Sequence, residues 1–119
     1  MLNTIIDEKL QQLGVTKNYK GYNQLKEVLI LATEDDTRLF SAVKNIFKPL
    51  AESHGCTYHS FVKNISTISR KIWAENNEKL CEMAKYELQN EPTVCELIAI
   101  LVADIQREFC YTCANCKAE

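Results

Sequence analysis

The chain has 119 residues, 46% of them hydrophobic and 25% charged, with a net charge of −2. That length suits one domain with a single core, and the balance suits a globular fold rather than a disordered or fibrous one. The longest apolar runs are far too short to span a bilayer and no basic-then-apolar leader opens the sequence, so no membrane partner is expected and the expected compartment is the cytoplasm.

Only three glycines and two prolines interrupt the chain, which favours long helices. The first is predicted from Leu2 to Leu13, with Leu2, Ile5, Ile6, Leu10 and Leu13 inward and Gly14 as its stop. A second is predicted from Gly21 to Thr33, burying Tyr22, Leu25, Val28, Leu29 and Ala32. The acidic cluster Glu34, Asp35, Asp36 suits the N-terminal turn of a third, where negative charge opposes the macrodipole; it extends through Leu39, Val43, Ile46 and Phe47 to Lys48. Pro49 then fits the first turn of a short helix.

The stretch from Leu50 to Trp73 reads as a helix-turn-helix. Ala51 is small where two backbones must approach, Gly55 can take the left-handed conformation that ends a helix, and Thr57 offers an oxygen to cap the next. That next helix, from Tyr58 to about Asn76, carries Phe61, Ile65, Ile68 and Ile72 as one buried stripe. At about 100° per residue, the opposite face holds His59, Lys63, Ser66, Thr67 and Arg70. No acidic residue occurs from Gly55 to Ala74. A recognition helix needs such a polar, cationic face to lie between two phosphate strands. Asn76-Asn77 is read as a break, followed by a helix from Glu78 to Leu88. Pro92-Thr93 opens the last helix with the capping box Thr93-x-x-Glu96, and its stripe is Val94, Leu97, Ile98, Leu101, Ile105 and Phe109. No segment alternates with period two. The expected fold is all-α, with six or seven helices in one domain, 1–109, and a Cys-rich tail, 110–119.

The charge distribution matters more than its sum. Residues 1–37 are net −2 and residues 75–119 net −5. Residues 38–74 carry Arg38, Lys44, Lys48, Lys63, Arg70 and Lys71 against Glu52 alone, net +5. Local field sets attraction to phosphate, so the basic segment coincides with the one that would meet DNA.

Several dispersed blocks together carry a resemblance: LGV…KGYNQLKEVLILA near the start, the Ala51–Trp73 unit, Trp73 followed by Asn76-Asn77, and EPTVCELIAILVADIQRE at the end. Over about residues 4–109 the chain resembles the C-terminal effector domain of the stage-zero sporulation protein A response-regulator family. The resemblance implies a six-helix, DNA-binding transcription-factor domain. It also implies two copies on adjacent short boxes, as in a homodimer on DNA, and contact with RNA polymerase; pairing with a partner regulator belongs to the antagonist reading that the missing arginines and the −5 C-terminal third motivate. It does not extend to the family's phosphoacceptor receiver, so phosphorylation control is not carried over. The family's recognition helix places arginines at base-facing positions, and the matching positions here are Ser60, Lys63 and Ser66. Arginine grips guanine as a rigid fork, which lysine and serine cannot do in the same way, so a different DNA box is expected.

Lys63 is the first candidate for a base or phosphate contact. Thr57 caps its helix, whose N-terminus can also hold a phosphate. Tyr58, His59, Ser60, Asn64, Ser66 and Thr67 are compatible with groove contacts. Lys44, Lys48, Arg70 and Lys71 suit phosphate positioning, with Lys20 of the KGY element in a supporting role. His54 and His59 fall on different faces across a turn, which favours surface or cap roles over metal. Cys56, Cys81 and Cys95 are read as small apolar residues within helices. Cys110, Cys113 and Cys116 form two overlapping CxxC units without a fourth ligand, so reduced thiols are expected ahead of a metal site completed by a second chain. No nucleophile–base set, paired carboxylates or glycine-rich phosphate loop is recognisable; neither an enzyme nor a cofactor is expected. A sequence-specific DNA-binding regulator is the first reading. An interaction or antagonist module that keeps the fold without specific DNA reading is the second.

Overall fold

The computed structural model describes residues 2–35, 41 and 43–112. Helix α1 spans Leu2–Gln12, α2 Tyr22–Glu34, α3 Lys48–Ser53, α4 Tyr58–Ala84 and α5 Val94–Thr112, with a π-helical segment, Val43–Phe47, leading into α3. Among the described residues there is no strand, and no helix is long and apolar enough to cross a membrane.

The expected all-α class holds, but the count of six or seven helices needs correction: the described residues form five α-helices and the π segment. Two differences account for it. Asn76 does not end a helix. Its backbone leaves helical geometry (φ −138°, ψ 37°), yet the helix resumes and runs to Ala84, because Leu80 and Met83 still have a core to enter. The end comes instead at Lys85, in the left-handed conformation at φ 69°, whose N–H donates to the Cys81 carbonyl. Second, Glu34 closes α2 rather than opening a third helix, and the extended Asp35 caps it. Asp36 and Leu39 of that expected helix lie outside the described residues.

The stripes read from the sequence converge on one core. Ile6, Leu10, Leu25, Leu29, Ile46, Phe61, Ile65, Ile72, Leu80, Leu97 and Leu101 are all fully buried. Helix α4 packs on α5, α2 and α3, and α5 also covers α1 and α2. Tight glycine turns end two of the helices. Gly14 (φ +83°) donates to the Gln11 carbonyl while the Val15 N–H reaches back to Leu10, the paired bonds of a Schellman motif. Gly55 (φ +70°) repeats the arrangement, donating to Glu52 while the Cys56 N–H reaches Ala51. Half of the expected capping box forms at α5, where the Glu96 N–H donates to Thr93 Oγ1 at 3.1 Å.

Polar ties join the ends of the elements. Lys9 Nζ of α1 bridges Asp104 (2.8 Å) and Glu108 (2.6 Å) of α5. Arg107 donates to the Met83 carbonyl at 2.7 Å. Asn76 Nδ2 donates to the Leu13 carbonyl at 2.8 Å, so the kink in α4 is fastened to the end of α1.

Candidate nucleic-acid interface

The surface begins with how α4 is aimed. Pro49 lies in the first turn of α3, Ala51 is buried, and the Gly55 turn brings the chain to Thr57. Thr57 has extended geometry (φ −78°, ψ 159°), and its Oγ1 accepts the Ser60 N–H at 3.1 Å. This is the N-cap the sequence called for. Behind it, the Phe61 ring stands 6.3 Å from Phe47 and 6.0 Å from His54, fixing the first turn of α4 against the segment before it. His54 in turn contacts Glu27 of α2 at 3.0 Å.

With Phe61, Ile65, Ile68 and Ile72 buried, the opposite side of α4 faces solvent. His59, Ser60, Lys63, Thr67 and Arg70 are exposed and Ser66 is half-buried. Lys63 and Arg70 have no acidic partner among the described residues. The Thr67 hydroxyl donates to the Lys63 carbonyl at 3.0 Å, which directs its donor along the helix. Tyr58 is half-buried, its ring edge-on to His59 at 5.3 Å. Lys44 and Lys48 are exposed and line, with Tyr58 and Cys56, a shallow cleft of about 360 Å³ beside the start of α4.

Two candidates are engaged elsewhere. Asn64 points to the flank, half-buried, and its Nδ2 donates to Gln24 Oε1 of α2 at 3.1 Å. Its role in this geometry is to hold α2 on α4. Lys71 is exposed but pairs with Glu75 one turn on, at 3.0 Å. The hydrogen bond and charge of Glu75 raise its pKa above the usual lysine value.

Sequence reasoning gave Lys20 only a supporting part and overlooked Gln24. The fold brings both against α4. Lys20, Gln24, His54, Ser60, Lys63 and Asn64 line a cleft of about 640 Å³. The signal was Gly21 in the KGY element: a Cβ there would stand 3.0 Å from the backbone C and O of Asn64, so the two backbones approach where a side chain would be tight.

The thiols depart from expectation in part. Cys56 lies in the turn before α4 and Cys95 is exposed on α5; Cys81 is half-buried within α4. Cys113 and Cys116 lie outside the described residues, as do the side chains of Phe109 and Cys110.

Comparison with known protein families adds one finding. The family model described as "Sporulation initiation factor Spo0A C terminal" matches residues 6–105, most of the chain.

Proposed function

The chain belongs to the Spo0A C-terminal family, a DNA-binding effector domain of transcription regulation in sporulation, and from that premise we propose that it is a sequence-specific regulator whose α3–turn–α4 unit is a helix-turn-helix. In this reading α4 enters the major groove N-terminus first. Ser60, Lys63, Ser66 and Thr67 face base edges, with His59 and Tyr58 at the groove mouth. Lys44, Lys48 and Arg70 meet phosphates, Lys71 does so only on leaving Glu75, and Thr57 presents the capped helix end to the backbone. The observation that carries the reading is the solvent-facing side of α4 over residues 58–74, a stretch with no acidic residue, where Lys63 and Arg70 are exposed.

Because Ser60, Lys63 and Ser66 occupy the positions at which the resemblance expects arginines, the bound sequence differs from that of arginine-bearing relatives. A lysine reaches guanine O6 and N7 as a point donor, and serine hydroxyls accept or donate with little base preference. Paired copies on adjacent boxes, a contact with RNA polymerase and a cytoplasmic location belong to the same reading through the family likeness.

Selection from random duplex DNA at low salt tests it. Enrichment of a defined motif is expected. Lys63→Ala should then weaken binding by about 1–3 kcal/mol with relaxed preference at one base pair if the contact is to a base, or flatten the salt dependence by about one unit if it is to phosphate. Retention of a protein partner with no enriched motif would instead support an interaction or antagonist module. Binding indifferent both to salt and to Lys63→Ala would remove α4 from the interface.

A further inference from the structure

We infer that the cleft between the Tyr19–Gly21 loop and α4 is a cradle for one sugar–phosphate unit of the DNA strand flanking the groove, with Lys20 as its phosphate ligand. This rests on the DNA reading and extends the interface beyond the basic segment 38–74.

The cleft has a volume of about 370 Å³, and Tyr19, Lys20, Thr67, Ile68 and Lys71 line it. Its floor is apolar: Ile68 is 1% exposed and Tyr19 is half-buried. Lys20 and Lys71 bring two ammonium groups to its lining, the second paired with Glu75. A deoxyribose with its phosphate has the matching character, an apolar ring face joined to a compact anion. The walls are held in place. Gly21 packs tightly on the backbone of Asn64, where an added Cβ would stand 3.0 Å away, and Gln24 is hydrogen-bonded to Asn64, so the loop carrying Lys20 is held against α4.

Position supports the same occupant. Lys20 also borders the neighbouring cleft that Ser60 and Lys63 line. A phosphate at Lys20 therefore sits on the same continuous surface as the groove-facing side chains, on the α2 side of the helix. Lys44 and Lys48 flank the start of α4 in a separate cleft with Tyr58. The two basic borders suit the two strands that wall a groove. Within the cradle, Lys71 is already paired with Glu75, which leaves Lys20 as the cation available to an incoming anion.

The test uses the full chain and a duplex carrying the selected motif, with anisotropy titrations across a range of salt. Lys20→Ala should flatten the slope of log affinity against log salt by about one unit and weaken binding several-fold at moderate salt, while base preference stays as it was. Lys20→Arg should restore the slope. A series of duplexes with single uncharged methylphosphonate linkages should contain one whose penalty, seen with the unaltered chain, disappears in Lys20→Ala. Unaltered thermal melting of the variant shows the fold intact. If Lys20→Ala keeps the original slope and the original methylphosphonate profile, the cradle is overturned and the DNA reading stands. A changed base preference with an unchanged slope also overturns it, since Lys20 would then read bases. If the unaltered chain binds no duplex, both fall together.

Discussion

Thr57 separates stability from DNA binding, because one oxygen caps α4 at the very end that the proposed reading aims at DNA. The side chain is exposed and makes a single bond to the helix, from the Ser60 N–H to Oγ1 at 3.1 Å. Thr57→Ala leaves that N–H to water, at a cost of about 1 kcal/mol within a range of about 0.5–2. An unfolding entropy of about 2.1 cal/mol/K per residue makes about 0.25 kcal/mol/K for a chain of this length, so Tm should fall by about 4 °C. Thr57→Asp keeps an acceptor and adds a negative charge beside the positive end of the helix, worth about 0.3–1 kcal/mol in favour of the fold. Its Tm should therefore match or exceed the original. Bound to DNA, the same carboxylate would face phosphate. A unit charge about 6 Å from another costs about 0.7–2.8 kcal/mol between the dielectric limits of water and a protein surface, and the penalty shrinks with salt. Affinity should fall by about three- to a hundredfold at low salt and recover part of that loss, relative to the original chain, as salt rises. Melting by circular dichroism and duplex titration in one buffer read both quantities. An equal loss of Tm in the two variants would refute the capping assignment. Undiminished DNA affinity in a well-folded Thr57→Asp would refute the orientation of α4.

Gly21→Ala tests the close approach of α2 to α4. The backbone of Gly21 is unstrained at φ −91°, so the only obstacle is the Cβ at 3.0 Å from Asn64, and a loss of about 1–3 kcal/mol in urea unfolding is expected. Glu75→Gln frees Lys71, at present bound at 3.0 Å, and removes an acid from the basic face; tighter, more salt-sensitive duplex binding should follow in titrations, and a weaker complex would contradict it. Tyr22 is buried and donates to Asp7, and burial first, then the Asp7 carboxylate, pushes the phenol up to about 12. A raised folded pKa gives stability that is full below the ordinary tyrosine value near 10 and is lost as pH rises through about 12. Melting between those limits should show a component that Tyr22→Phe abolishes.

How far the sequence anticipates this structure depends on how far away each residue's partner lies. Gly14, Gly55 and Thr57 were legible because their partners are within five residues along the chain: Gln11 and Leu10, Glu52 and Ala51, Ser60. The stripe of α4 was legible for a related reason, since helical periodicity alone decides which side chains share a face. Asn76 was misread because asparagine is a poor interior residue by local propensity. Here its amide has a tertiary partner, the Leu13 carbonyl, 63 positions away, and the apolar side chains beyond it still reach the core. Glu34 was misplaced for a similar reason. Helix-dipole reasoning placed Glu34 at a beginning, whereas burial of Val28, Leu29 and Ala32 carries α2 through it.

The candidate site obeys the same division. Local reasoning found which face of α4 is cationic and where that helix starts, but it could not tell a free polar side chain from an engaged one. Asn64 and Lys63 are neighbours in sequence, yet Gln24, 40 positions upstream, claims the first and nothing among the described residues claims the second. Lys20 shows the converse. In sequence it lies in an otherwise unremarked loop far from the basic segment, and only the contact of Gly21 with α4 brings it to the same surface. Net charge by segment therefore misses part of the folded surface: the region 1–37 is net −2, but it brings Lys20 to the cleft that Ser60 and Lys63 line. An electrostatic footprint is a property of the folded surface, and a single close-packed glycine is enough to redraw it.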